Sequence, residues 1–589
     1  MPPRNQGNQQ KPKDAKKTLK RLGQYLLRSW PLLTAALILT VTGNVFQLVG
    51  PTLCGYAIDA IALESGVNFP LVYKYAGQML VLYVLSAALG YGTSLLILHA
   101  SQRTIRDMRD DLFSKLMKLP VGYFDRRQTG DILSHMSYDI DTVNTSLSTD
   151  LVQILTSIIT IVGAFSMMLR ISPMLVLVFV VTVPLSVAFT KYRTTHVRPL
   201  FRARSKKLGE LAAFVEEYIS GQKTVRAYHQ EANVLDRFDQ HNEEAVQAYY
   251  KAEYVASTTG PMVNFINNLS LTLISTFGAI LYLFGGITLG NISSFVLYSR
   301  KFSGPINEAA NILSELQSAM AAAERVFNLL DEEEEPADAL GSKALKVTAG
   351  EVAIRNLDFG YNPDKIILKD VNLTAKPGSM VAIVGPTGAG KTTLVNLLMR
   401  FYDPQAGAIV IDGQEIASVK RDSLRAAFSM VLQDTWLFNG TVHDNIAYGS
   451  EGATREDVIA AAKATHIHRM IERLPEGYDT ILTEDGVNIS KGQKQLLTIA
   501  RAMLQEAHLL ILDEATSNVD IRTEMLIQSA MRKLMQNKTC FVIAHRLSTI
   551  RNADLILVVR DGQIVEQGTH DDLLSANGFY ATLFRAQFE

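Results

Sequence analysis

Cysteine is nearly absent from this chain. Its 589 residues include two, Cys54 and Cys540, far apart in sequence. That excludes a disulfide framework and a cysteine-built metal site. Cys540, inside an apolar run, reads as a small core residue. A charge excess is missing too: 57 Lys and Arg against 58 Asp and Glu give −1, so no global field points to nucleic acid. The amino terminus lacks a short apolar core with a small-residue cleavage site, so no secretory signal peptide is read there. It carries Lys11, Lys13, Lys16, Lys17, Lys20 and Arg21 instead. A basic tail of this kind beside a membrane segment favours the cytoplasmic side, and residues 1–13 read as solvated. No internal repeat is visible.

Long apolar runs fill the first half. Stretches near Pro31–Leu53, Tyr75–Leu98, Leu151–Leu169, Met174–Tyr192 and Met262–Phe284 can each span a bilayer, which takes about 20 residues. A sixth begins near Ile287 and is the weakest, because Arg300 and Lys301 interrupt it. It reads as a helix lining an aqueous cavity or reaching the cytoplasmic surface early. Arginines and lysines crowd the connections after the second span (Arg103 to Arg127) and after the fourth (Lys191 to Lys207), which places both inside. Asn44, Gln47, Asn264, Asn267 and Asn268, with Phe265, Phe277, Phe295 and Tyr298, are candidate cavity residues; ordinary helix packing accounts for most of them equally well. The run Asp331 to Glu335 before Pro336 reads as a solvated boundary.

The second half carries phosphate chemistry. Met380–Val384 is a short apolar run, and Gly385-Pro386-Thr387-Gly388-Ala389-Gly390-Lys391-Thr392 follows it with the spacing G-x-x-x-x-G-K-[ST]. Glycines let consecutive N–H groups face phosphates, the next helix presents its positive end, Lys391 adds charge, and the Thr392 hydroxyl can ligate Mg²⁺. Leu509–Leu512 reads as a buried parallel strand ending in Asp513 and Glu514. Asp513 suits an outer Mg²⁺ contact and Glu514 a general base for the attacking water; alone, the pair also suits a helix cap. His545 ends a strand of its own and reads as a γ-phosphate sensor, Gln433 can reach Mg²⁺ or water, and Tyr361 offers a face for adenine or for packing.

In this order the motifs resemble the nucleotide-binding domain of ATP-binding cassette (ABC) proteins. The resemblance implies that Gly385 to Thr393 bind ATP, with Thr393 closing the loop, and that Ser490, Lys491, Gly492 and Gln493 form a signature covering the ATP of a second subunit. It makes Asp520 the D-loop residue. Thr392, Gln433 and Asp513 are the implied Mg²⁺ set, and Glu514, His545 and Gln433 the implied catalytic set. The membrane half resembles the exporter type, with coupling helices near Tyr123–Leu133 and Glu217–Tyr228. The implied fold is a six-helix, all-α membrane domain followed by an α/β P-loop NTPase domain. The implied boundaries are 1–28 (tail and amphipathic elbow helix), 29–330 (membrane domain), 331–346 (acidic linker) and 347–589 (nucleotide-binding domain).

Two positions depart from the family pattern. Lys491 stands where the signature has glycine, and Ser517-Asn-Val-Asp520 replaces the commoner Ser-Ala-Leu-Asp. With Glu514 and His545 present, the combination resembles one subunit of heterodimeric bacterial multidrug exporters; a homodimer that tolerates lysine is the alternative. The expected function is ATP-driven export of amphiphilic or hydrophobic small molecules across the cytoplasmic membrane, drugs or lipids, with a second half-transporter as partner. A soluble ABC ATPase acting on DNA or ribosomes conflicts with the spans. A nucleotide-gated channel would not need Glu514.

Overall fold

The computed structural model describes residues 14–61, 66–433, 435–450, 452–483, 489–513, 520–544 and 547–588. They form two compact units. One takes in the chain up to Leu119 and Arg127–Glu333; the other joins Pro120–Arg126 to everything from Glu334 onward.

Among the described residues the first unit consists of helices and short connections. Helices Trp30–Ile61, Phe69–Lys118, Thr129–Ile171, Pro173–Ser220 and Glu231–Leu283 are long and apolar enough to cross a membrane. The last helix, Leu289–Leu330, is 42 residues long but does not reach that threshold, as Arg300 and Lys301 predict. At 1.5 Å per residue, the 50 residues of Phe69–Lys118 run about 75 Å, well beyond a hydrocarbon core of about 30 Å. Leu80, Val84, Val180 and Val181 are exposed, as befits side chains that face lipid. Pro51 removes a ladder donor inside the first long helix. Across from it, Ser294 Oγ donates to the Pro51 carbonyl at 2.8 Å and the Tyr298 hydroxyl donates to the Leu48 carbonyl.

A short amphipathic helix, Ala15–Leu27, opens the described chain, capped by Asp14. Lys17 and Arg21 both reach Asp331, at 3.1 and 2.8 Å. Glu332 pairs with Arg127 at 2.7 Å, Glu335 with Arg425, and Asp338 with Arg421 at 3.3 Å. The acidic run is therefore a set of ion pairs rather than a merely solvated boundary. Its carboxylates leave the helix beside basic side chains and form charge-assisted bonds with them.

The second unit is α/β. A six-stranded sheet runs in the order Gln563–Gly568, Leu555–Arg560, Met380–Val384, Thr539–Ile543, Leu509–Asp513, Phe428–Val431, parallel except for the first strand. A smaller antiparallel sheet contains Leu368–Ala375, Val352–Phe359, Ala406–Ile411 and Gln414–Glu415. Alternation decides which core each side chain enters. Val381, Ile383, Leu509, Ile511 and Phe541 face the smaller sheet's cluster, while Leu510, Leu512, Cys540 and Val542 pack with the helices Lys491–Leu504 and Ile521–Met535. Leu509 to Leu512 are at most 1% exposed, worth about 2 kcal/mol per side chain. Both faces being covered is why these strands read as unbroken apolar runs.

Candidate functional site

Gly385 follows the strand Met380–Val384, and Lys391 begins the helix Lys391–Leu398. The loop between them needs its glycines. Gly388 and Gly390 have φ of 83° and 104°, the left-handed region where a side chain is strained. A Cβ at Gly390 would also meet Leu368 at 2.7 Å. Lys391 Nζ lies over the loop, donating to the carbonyls of Gly385 at 2.8 Å and Pro386 at 3.0 Å. Burial pushes its pKa down and the Asp513 carboxylate opposes that shift, which places Asp513 in electrostatic reach. Thr392 is exposed at the second helical position, while Ala389 and Thr393 are buried. Loop and helix end together form a cradle for phosphate.

Register puts the other candidates at the same sheet edge. Ile543 pairs with Ile383 and with Asp513, so these parallel strands end level with the phosphate loop. Gln433 follows the strand Phe428–Val431 and is exposed. Hydroxyl, carboxylate and amide oxygens from Thr392, Asp513 and Gln433 suit a hard cation such as Mg²⁺. Glu514 and His545 lie outside the described residues.

Tyr361 is held from three sides. Its hydroxyl donates to Thr393 Oγ1 at 3.3 Å and accepts from Asn396 Nδ2 at 3.2 Å. Its ring meets Phe359 and Tyr402 edge to face, with centroids 5.2 and 5.0 Å apart. Sequence reasoning did not find Tyr402. The Tyr402 hydroxyl donates to Asp125, and burial with that carboxylate pushes its pKa up. Arg421 was also missed. It is 5% exposed and bonds Asp403, Asp338 and the Pro336 carbonyl. Neither residue belongs to a local motif, and no sequence spacing points to either.

Ser490 caps the helix Lys491–Leu504, and Gln493 completes a reciprocal capping box. Lys491 is exposed in the first turn, and Gly492 is buried. Asp520 caps Ile521–Met535 by accepting from the Thr523 amide at 3.0 Å.

In the membrane unit, Ser94, Ser148, Thr149, Gln153, Thr156 and Glu308 line part of a cavity of about 410 Å³. Gln153 Nε2 donates to Glu308 there at 2.7 Å. Phe295 and Tyr298 are fully buried in helix packing and Asn44 is buried with its amide on the Thr40 carbonyl, so these three expected cavity residues are core. Phe265 and Phe277 are exposed.

Comparison with known proteins agrees with both halves. Residues 33–306 match the ABC transporter transmembrane region and residues 368–517 the ABC transporter family. An uncharacterized ABC transporter ATP-binding protein of Bacillus subtilis is 41% identical, over 98% of this chain and 96% of its own. A fatty acid ABC transporter ATP-binding/permease protein of Mycobacterium bovis is 46% identical, over 89% and 82%. An ATP-dependent lipid A-core flippase of Syntrophus aciditrophicus is 34% identical, over 93% and 90%. Among solved structures, a bacterial Atm1-family ABC exporter with ATP bound shares 32% identity and a TM-score of 0.77, covering 95% of this chain and 98% of the other. The chain belongs to the ABC exporters, as a half-transporter with an amino-terminal transmembrane domain and a carboxyl-terminal ATPase domain.

Proposed function

We propose that the chain uses ATP hydrolysis to move a lipid-like amphiphile across the cytoplasmic membrane. The observation that carries the cargo class is the membrane-unit cavity, where hydroxyls and the Gln153–Glu308 pair supply polar contacts within an apolar helical unit. Such a site suits a molecule with a polar head and an apolar body. The relatives named for fatty acids and lipid A support lipids ahead of drugs. The arginine-rich connections support cytoplasmic placement of the ATP domain and both termini.

At the ATP site, Gly385 to Thr393 cradle the phosphates, Lys391 neutralises them and Tyr361 stacks on adenine. Thr392, Asp513 and Gln433 hold Mg²⁺, which offsets the charge developing on the transferred phosphoryl group when bound. Glu514 takes the proton of the attacking water and His545 contacts the γ-phosphate. The helix opening at Ser490 faces the ATP of a second chain, with Asp520 beside that interface.

Exporters of this family act as dimers. The Lys491 substitution favours two unlike chains, with this one supplying the hydrolysing site and lending its altered signature to a weaker one. Glycine admits close backbone approach to phosphate, and lysine adds bulk and a mobile charge. The test is reconstitution in proteoliposomes, alone and with a homologous half-transporter. Expected are ATP-dependent movement of a fluorescent fatty acid or phospholipid and prolonged ATP retention at one site of the mixed dimer. Movement of a cationic dye but no lipid would overturn the cargo class. Brisk hydrolysis at two equivalent sites by the chain alone would overturn the unlike pair and leave the exporter reading intact.

A further inference from the structure

The wall of the membrane-unit cavity offers more acceptors than donors. Four of its hydroxyls already donate within the protein. Ser94 donates to the Gly90 carbonyl at 3.1 Å, Thr149 to the Thr145 carbonyl at 2.7 Å, Ser148 to Ser101 Oγ at 2.9 Å and Thr160 to Asn44 Oδ1 at 3.4 Å. What these oxygens still hold out to a ligand is lone pairs. Pro305, also on the wall, cannot give the Lys301 carbonyl its usual helical N–H, which adds an acceptor in that turn.

Glu308 is the one charged group among the described residues that line the cavity. A carboxylate accepts at about four lone-pair sites, and Gln153 Nε2 occupies one of them at 2.7 Å. Lys301 stands seven residues away on the same helix, about 10 Å along its axis, and makes no ion pair with Glu308. Two turns the other way, Glu315 hydrogen-bonds the buried Asp150, so the wall grows more acidic in that direction. Ser94 lies near the end of the second apolar run and Gln153 near the start of the third, and the arginine-rich connection between those runs marks that side as cytoplasmic. The cavity thus sits at the depth where the head groups of the inner leaflet begin.

We infer that this cavity takes an amphiphile by a primary ammonium head, with Glu308 as the residue that selects it. The inference rests on the proposed role of the cavity in carrying cargo and narrows the lipid-like class to its amine-headed members. An ammonium brings three N–H donors and a positive charge to the carboxylate and the hydroxyl oxygens, which makes charge-assisted bonds. A fatty acid carboxylate meets Glu308 with like charge and finds few donors on the wall. A quaternary ammonium carries the charge but no N–H.

The experiment uses the full transporter dimer in vesicles of phosphatidylcholine and phosphatidylglycerol. It follows ATP-dependent movement of acyl-labelled phosphatidylethanolamine, phosphatidylcholine and fatty acid, together with ATPase stimulation by octadecylamine and by stearate. Phosphatidylethanolamine should move about tenfold faster than the other two at limiting probe, the weight of one hydrogen bond to a charged group. Octadecylamine should stimulate where stearate does not. Glu308→Gln, nearly the same shape and still able to accept from Gln153, should lower phosphatidylethanolamine movement about tenfold and level the preference. Glu308→Asp, which keeps the charge, should preserve the order of the three. If Glu308→Gln does not assemble, the comparisons on the unmodified protein still decide. Fatty acid moved as fast as phosphatidylethanolamine, or a preference that survives Glu308→Gln, would overturn the inference and leave lipid-like cargo standing. Stimulation by octadecylamine without movement of phosphatidylethanolamine would support the ammonium head and assign it to single-chain amines. Movement of none of the lipids, with no stimulation by either single-chain compound, would remove the cargo reading and the inference with it.

Discussion

Ser490 and Gln493 hold each other across the first turn of their helix. The Gln493 amide donates to Ser490 Oγ at 3.3 Å, and the Ser490 amide donates to Gln493 Oε1 at 2.9 Å. Two residues assigned by resemblance to a neighbour's nucleotide are thus also the start of a helix whose interior face is buried. Ser490→Ala is expected to cost about 1 kcal/mol of stability through the lost cap, visible as a lower unfolding temperature without nucleotide. If Ser490 also contacts the partner-held phosphate, ATP retention at that composite site will fall by more than the stability loss accounts for. Matched losses would confine Ser490 to capping.

Glu514→Gln should keep ATP binding and lose hydrolysis by about 10²-fold or more, the usual weight of a general base. Nucleotide binding by fluorescence and single-turnover hydrolysis, measured on the assembled dimer, separate the two. Hydrolysis at the wild-type rate would remove Glu514 from the base role.

Arg421 is buried among Asp403, Asp338 and the Pro336 carbonyl. Arg421→Ala leaves those acceptors facing a void and should destabilise the ATP domain by about 3 kcal/mol. Arg421→Lys should recover only part, since one ammonium cannot reproduce the planar fork. Chemical denaturation of the full chain checks both; loss of less than about 1 kcal/mol in the alanine variant would show that the cluster relaxes or hydrates.

Asp412 accepts four backbone N–H groups, from Thr348, Ala349, Gly350 and Glu351, at 2.7 to 3.0 Å. Burial pushes its carboxyl up, but these donors outweigh it and bring the pKa down to about 2. The folded value lies below the unfolded one, so the contribution is complete above pH about 4 and is lost as pH falls through about 2. Solvent screening at this partly open site leaves it at about 1 kcal/mol. Asp412→Asn should lower stability at neutral pH and flatten its loss between pH 4 and 2; an unchanged acid limb would contradict the account.

The parts readable from sequence are those where local pattern and tertiary role coincide. Asp513 ends a strand buried on both faces and the loop leading to Lys391 follows another, so each comes after an apolar run that needs no alignment to see. The long helices were equally plain, and Arg300 and Lys301 correctly marked the final one as the least apolar. What stayed hidden depends on rotation or distance. Phe295 and Tyr298 looked like cavity residues because sequence does not say which face of a helix turns toward its neighbours. Tyr402 meets an aspartate 277 positions away, and no spacing rule reaches that far. The carboxylates at 331–335 read as solvated because their basic partners come from elsewhere in the chain.

Cys540 lies in the sheet interior, and burial pushes its thiol up to about 12. Little of it then carries the thiolate that alkylating reagents need. Cys54, half-buried in the helix Trp30–Ile61, is the other thiol of the chain. Of the two thiols Cys54 is therefore the more accessible, within the helix that contains Pro51. A spin label or fluorophore placed there can follow the membrane half through the ATP cycle without first removing a cysteine.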